Sequence, residues 1–130
     1  EDEFFASSGV RSSVEAARNA LSDKIQYLTE FLGGEYEIQG AYPAWEYRKE
    51  SPLRDKMVEV YETMYGQKPE VVAIHAGLEC GLFYKKIDGL DCVSLGPNMK
   101  DIHTSEEVLD IASTERVWKY LVKVLEELKD

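Results

Sequence analysis

The sequence has few cysteines and few basic residues, and each shortage excludes a class of protein. Its two cysteines, Cys80 and Cys92, form no CxxC pair. This argues against a structural zinc finger or a disulfide scaffold and favours a reducing, cytoplasmic location. Lys and Arg number 15 against 25 Asp and Glu, so the net charge is −10. Nucleic-acid and polybasic membrane-surface binding both need clustered cationic side chains, so we expect neither partner.

Other features of the sequence indicate a folded chain that is part of something longer. Hydrophobic residues make up 44% of the 130 residues and aromatic residues 11%, which excludes general disorder and allows one domain with a core. No apolar run approaches the roughly 20 residues that span a bilayer. The chain opens on Glu1-Asp2-Glu3, with neither a methionine nor the basic start of a signal peptide. We therefore expect a piece of a longer protein.

Four segments carry the apolar spacing or the end signals of helices. Serine is expected to cap three of them, as Ser12 or Ser13, as Ser51 and as Ser113, because its hydroxyl can accept a free backbone N–H. Glycine is expected to end the first two, because it reaches the left-handed conformation without a Cβ clash. The helices are predicted at 13–32 (ended by Gly33-Gly34), from Ser51-Pro52 to Gly66, at 78–86 and at 114–128.

Short β-branched or alternating segments lie between these helices and predict strands. The connection 42–52 holds two of the four prolines and is the best internal boundary. Residues 96–112 read as a long loop that contains a capping-box pattern, Thr104-x-x-Glu107. Helices that alternate with short buried strands predict an α/β fold. The strands are predicted at 3–11, 35–41, 71–74 and 90–95.

Five residues are candidates for chemistry on position alone. His75 and Gly77 follow a predicted strand and precede a predicted helix, where α/β proteins place ligands. Glu79 falls in the first turn of that helix, Arg11 could clamp a carboxylate bidentately, and His103 lies within the long loop. Each residue also has an ordinary structural explanation that is commoner. Spacing alone therefore predicts no more than a possible anion or metal site around His75–Glu79 and His103.

Several motifs resemble those of a known enzyme family. The segments are Val-Val-Ala-Ile-His-Ala-Gly-Leu-Glu-Cys-Gly-Leu-Phe at 71–83 and Val-Ser-Leu-Gly-Pro-Asn-Met-Lys-Asp-Ile-His-Thr-Ser-Glu-Glu at 93–107. Leu-Asp-Ile-Ala-Ser-Thr-Glu-Arg-Val-Trp at 109–118, Val-Arg-Ser-Ser at 10–13 and Tyr-Pro-Ala-Trp at 42–45 add to them. Together they resemble the C-terminal part of aminoacyl-histidine dipeptidases, also called cytosol non-specific dipeptidases or peptidase D, which are dinuclear-zinc metallopeptidases.

The resemblance implies a two-domain organisation. Such enzymes have a zinc-bearing α/β catalytic domain that is interrupted by a smaller lid domain, of the type that mediates dimerisation. Residues 1–42 would form the last β-α-β of the lid, and residues 43–130 the closing part of the catalytic domain. The boundary drawn from composition at 42–52 agrees with this division.

The resemblance also implies roles for individual residues. His103 matches a histidine that ligates one of two zinc ions, and a neutral imidazole suits zinc. Arg11 matches the group that holds the substrate carboxylate, and Gly77 matches a glycine that offers backbone contact to a peptide substrate. His75 and Glu79 would border that pocket without an assigned role.

The family's other metal ligands and its general-base Glu lie in upstream segments that this sequence does not contain. We therefore expect the isolated chain to be inactive and not to bind zinc tightly, since one histidine cannot form a closed site. We also expect it to self-associate, because a piece cut from a larger sheet exposes apolar surface and strand edges. The alternative is a non-catalytic α/β binding or assembly module.

Overall fold

The computed structural model describes residues 4–74 and 79–129 of the chain. These described residues form four helices and one small two-stranded sheet. They divide into two compact units: the described residues within Glu1–Lys49 and Val72–Leu90, and those within Glu50–Val71 and Asp91–Asp130. The elements are, in chain order, α1 (Glu15–Phe31), α2 (Pro52–Tyr65), α3 (Glu79–Lys86), β1 (Met99–Lys100), β2 (Val108–Leu109) and α4 (Ile111–Glu127).

Helix α1 of the first unit ends where the sequence predicts, but its start is built differently. Gly33 adopts a left-handed φ of 81° just beyond the helix, which confirms the predicted stop. The predicted serine cap is wrong: Val14 occupies the N-cap position without a side-chain cap, and Ser12 Oγ accepts its bond from the Val14 N–H. Instead Glu46 Oε1 accepts from the Glu15 N–H at 3.1 Å.

Helix α3, in the same unit, lies close to the segment that follows Pro43. Gly81 is the buried residue of this helix, and a Cβ built on it would meet the Pro43 carbonyl oxygen at 2.9 Å. No described hydrophobic side chain of the first unit is buried. This unit therefore has no apolar core of its own within the described residues.

Helix α2 of the second unit has the predicted ends. Ser51 Oγ accepts from the Arg54 N–H at 3.1 Å, Pro52 is the first helical residue, and Gly66 ends the helix at a φ of 70°. A residue far along the chain strengthens this start. The Asp91 carboxylate accepts from Ser51 Oγ at 2.6 Å and from the Leu53 N–H at 2.9 Å.

Helix α4 begins earlier than predicted, because Asp110 caps it rather than Ser113. Asp110 Oδ1 accepts from the Ser113 N–H at 2.8 Å. Ser113 is buried inside the first turn, where its hydroxyl donates to the Asp110 carbonyl and accepts from the Asn98 N–H at 2.8 Å. Aspartate caps as well as serine does, so the choice between them follows from the position at which the chain enters the helix.

The core of the second unit lies between α2 and α4. Tyr61 and Tyr120 stack edge to face with ring centroids 5.4 Å apart, and the Tyr120 hydroxyl donates to the Met57 carbonyl at 2.7 Å. The apolar stripes of the two helices thus supply both the packing and one buried hydrogen bond that joins them. The buried hydrophobic residues are Met57, Val60, Tyr120 and Val124.

The four predicted strands are wrong for the described residues: 4–11, 35–41, 71–74 and 90–95 contain no strand. The observed sheet lies instead in the predicted loop 96–112. There β1 and β2 pair antiparallel, with Met99 opposite Leu109 and Lys100 opposite Val108. A strand requires a hydrogen-bonded neighbour, which residue alternation cannot supply. At 96–112 the two partners are close in sequence and need no distant strand.

Candidate functional site

His103 lies at the end of the β1–β2 hairpin, within the seven residues 101–107 that we call the tip turn. Its side chain is exposed, and its backbone adopts a left-handed φ of 67°. Asp101, two residues earlier, has a φ of 53°. Residues other than glycine seldom adopt this conformation, because Cβ approaches the following carbonyl oxygen.

Hydrogen bonds within the tip turn define its conformation. Both the N–H and the hydroxyl of Thr104 donate to the Asp101 carbonyl, at 3.2 and 2.7 Å. The Glu106 N–H donates to Thr104 Oγ1 at 3.2 Å, and the Glu107 N–H to the Thr104 carbonyl at 3.3 Å. The His103 N–H donates to Glu107 Oε2 at 2.7 Å. The tip turn is thus a short hydrogen-bonded segment from which the imidazole of His103 is exposed to solvent.

The capping-box pattern at Thr104-x-x-Glu107 is therefore used, although not to start a helix. The Glu107 carboxylate reaches back to the N–H of His103, one residue before the threonine. The sequence predicts a loop at this position, and no helix begins at Thr104. The pattern was the signal in the sequence for this contact, because a carboxylate three residues after a hydroxyl can bond backwards to free N–H groups.

The other candidate residues lie elsewhere in the chain. Arg11 is exposed, and Glu79 is the exposed first residue of α3; both belong to the first unit, whereas His103 belongs to the second. His75 and Gly77 lie outside the described residues. The pocket that the sequence predicts from these residues stays a prediction.

The described residues include a side chain of the type that binds zinc, but they do not group enough such side chains to form a zinc site. An exposed imidazole such as that of His103 is a suitable ligand, and a catalytic zinc site takes three protein ligands. Residues 4–74 and 79–129 contain no group of three or more His, Cys, Asp or Glu side chains that could hold a metal ion. The described residues can therefore supply a ligand but do not themselves form a zinc site.

Two carboxylates with structural roles were not anticipated from the sequence. Glu46 and Asp91 bond the first N–H groups of α1 and α2 from 31 and 38 residues away. A carboxylate at a helix N-terminus is stabilised by the free N–H groups and by the helix dipole. No local pattern marks such distant contacts, so only the tertiary structure identifies them.

Ion pairs cover the solvent-exposed face of α4. Lys119 Nζ lies 2.6 Å from Glu115 Oε1, and Lys123 Nζ lies 2.8 Å from Glu127 Oε1. The hydrogen bonds in these pairs, followed by the attraction of the charges, lower the pKa of each glutamate and raise the pKa of each lysine. These paired charges make this face of α4 a solvated surface.

Comparison with known proteins gives a clear relationship. No family model matches the chain. A curated protein, the cytosol non-specific dipeptidase of Escherichia coli strain K12, is 33% identical over 119 residues, which are 92% of this chain. The crystal structure of the aminoacylhistidine dipeptidase from Vibrio alginolyticus matches 92% of the chain with a TM-score of 0.74 and 34% identity. The chain resembles these dipeptidases.

The match confirms the resemblance that the motifs indicate and the α/β class of the fold. The chain spans 24% of the length of each dipeptidase. The match tests neither the predicted division at 42–43 nor the predicted roles of single residues. None of the helices within the described residues is long and apolar enough to cross a membrane.

Proposed function

We propose that this chain is the C-terminal part of a cytoplasmic, zinc-dependent dipeptidase that hydrolyses Xaa-His and other dipeptides. The observation that carries the proposal is the match to two dipeptidases over 92% of the chain, at 33% and 34% identity. The motif at 93–107, which holds His103 on the tip turn, supports the proposal as well. The acidic net charge of −10 accords with a small peptide substrate rather than a nucleic acid or an anionic membrane.

In the proposed enzyme, the residues of this chain bind and orient. His103 would donate a neutral ring nitrogen to one of two zinc ions, which requires the unprotonated imidazole. Arg11 would bind the substrate carboxylate through its planar guanidinium, a geometry that a lysine cannot reproduce. Gly77 would offer a backbone group to the peptide. Zinc, when bound, supplies the polarisation that activates water for attack on the peptide carbonyl.

The remaining ligands and the general base would come from a preceding part of the longer protein. The isolated chain should therefore neither hydrolyse dipeptides nor bind zinc tightly, because a lone imidazole is a weak zinc site. The pocket bordered by His75 and Glu79 would be completed only in the longer protein.

The decisive experiment is to read the open reading frame upstream of Glu1 and to express the complete protein. The proposal expects an upstream His-x-Asp segment, an adjacent Glu pair, and zinc-dependent hydrolysis of β-alanyl-histidine. His103→Ala in the complete protein should abolish that activity, whereas Glu106→Gln in the same turn should retain it. An upstream sequence without those segments, together with no hydrolysis, would replace this proposal with a non-catalytic binding or assembly module.

A further inference from the structure

The tip turn contains the two residues other than glycine, among those described, that have positive φ angles, Asp101 and His103. Left-handed backbone is unfavourable for such residues, and it persists where surrounding contacts hold it. Residues of this kind are frequent at functional sites. Asp101 is held by the two bonds that Thr104 makes to its carbonyl oxygen. His103 is held by a different contact, with Glu107.

That contact is the bond from the His103 N–H to Glu107 Oε2, at 2.7 Å. An ionised carboxylate makes a shorter and stronger bond to a backbone N–H than a neutral acceptor does. The bond spans four residues and closes a ring across the tip turn. The Glu107 N–H, bonded to the Thr104 carbonyl, anchors the same residue from its backbone.

The carboxylate of Glu106, the residue before Glu107, provides a matched control for the bond of Glu107. Glu106 has the same charge and lies in the same turn, and its side chain accepts from the Ser105 hydroxyl at 3.3 Å. The Glu106 carboxylate thus accepts from the Ser105 hydroxyl, whereas the Glu107 carboxylate accepts from the His103 N–H. A difference between substitutions at 106 and 107 would therefore report this bond rather than a change of charge.

We propose that Glu107 is a positioning residue for His103: its carboxylate holds the left-handed backbone from which the imidazole is presented. The inference rests on the proposed function in that it treats His103 as a zinc ligand. It adds a group that acts on the backbone of the ligand residue rather than on the metal or the substrate. Residues that orient a metal ligand typically change metal affinity about 10–100-fold when they are replaced.

The first experiment uses the 130-residue chain and backbone chemical shifts measured by NMR. Glu107→Ala should move the His103 shifts away from left-handed values. Glu107→Gln retains a carbonyl acceptor and should preserve them in part, and Glu106→Gln should leave them unchanged. Contacts between Met99 and Leu109 report whether the hairpin still forms. His103 shifts that are the same in Glu107→Ala as in the unsubstituted chain would overturn the inference.

The second experiment measures zinc affinity, not activity, in the complete protein by competition with a chelator. Glu107→Ala should weaken zinc binding about 10–100-fold, Glu107→Gln should weaken it less, and Glu106→Gln should not change it. Equal zinc affinity in Glu107→Ala and the unsubstituted protein would overturn the positioning role while the proposed function stands. If the unsubstituted complete protein binds no zinc, the proposed function fails, whatever the NMR result on the tip turn.

Discussion

Tyr120 shows how one side chain can join two helices. Its ring is buried between α2 and α4, with 7% of its surface exposed, and its hydroxyl donates to the Met57 carbonyl. Burial, followed by the nearby Tyr61 and Tyr65, raises the pKa of Tyr120 above its ordinary value. The neutral hydroxyl is the form that can donate the bond, so the fold favours protonated Tyr120.

Replacement of Tyr120 by Phe should lower the free energy of unfolding by about 1 kcal/mol at neutral pH, the usual value of one hydrogen bond. The folded pKa is raised, so the contribution of Tyr120 is complete below the unfolded pKa of about 10 and is lost as pH rises through the folded value. Urea unfolding followed by circular dichroism at neutral and alkaline pH measures both effects.

Tyr27→Phe is the matched control, because Tyr27 is 67% exposed on α1. It should leave stability at neutral pH unchanged. An equal alkaline loss of stability in Tyr120→Phe and the unsubstituted chain would contradict the role given to this hydroxyl.

Gly81 gives a second prediction at the scale of a residue. In an exposed helix, Gly→Ala stabilises by about 1 kcal/mol, but here the new Cβ would lie 2.9 Å from the Pro43 carbonyl oxygen. Gly81→Ala should therefore destabilise the first unit by about 1–3 kcal/mol. Hydrogen exchange of the α3 amides should show the loss. Gly9→Ala, with nothing within 4 Å of the added Cβ, should leave that exchange unchanged, and slower α3 exchange in Gly81→Ala would refute the contact.

At the scale of elements, carboxylates that are distant in the sequence accept hydrogen bonds from the first N–H groups of α1 and α2. The local signals of α2 predict its ends correctly, because Ser51, Pro52 and Gly66 act within one turn of the helix ends. Glu46 and Asp91 could not be assigned from the sequence, because loop closure places them and no periodic pattern records it. The strand predictions are wrong for a related reason. A strand needs a hydrogen-bonded neighbour, and residue alternation does not identify that neighbour.

Asp91→Ala should destabilise α2 by about 1–2 kcal/mol, the usual cost of losing a helix cap. The substitution removes the acceptor of the Leu53 N–H and of the Ser51 hydroxyl. Hydrogen exchange at Leu53 and the urea midpoint of the second unit are the measurements. Asp88→Ala changes the same residue type at an exposed position nearby and should have little effect. Identical Leu53 exchange in both variants would exclude the distant cap.

At the scale of the whole molecule, the described residues leave large apolar side chains exposed to solvent. Among them are Leu28, Phe31 and Leu32 of the first unit, at 60%, 86% and 73% exposure.

We therefore expect the isolated chain to self-associate through the first unit as its concentration rises, because burial of this apolar surface is favourable. Sedimentation velocity over a concentration series should show an increasing mean mass. Phe31→Glu should shift the association to higher concentration, whereas Ala20→Glu, which adds the same charge to an exposed position of α1, should not. A single monomer boundary at high concentration would refute the prediction.

The sequence by itself determined where the helices lie and the resemblance to dipeptidases, through which the α/β class is confirmed. Helix periodicity, end signals and long motifs are local properties. The sequence also identified His103 as the candidate ligand. The tertiary structure decided which carboxylates complete α1 and α2, which residues pair as strands, and that Glu107 bonds the backbone of His103. These contacts depend on where the folded chain brings distant or turn-separated groups together, and hydrogen bonds form only between groups at the right distance and angle.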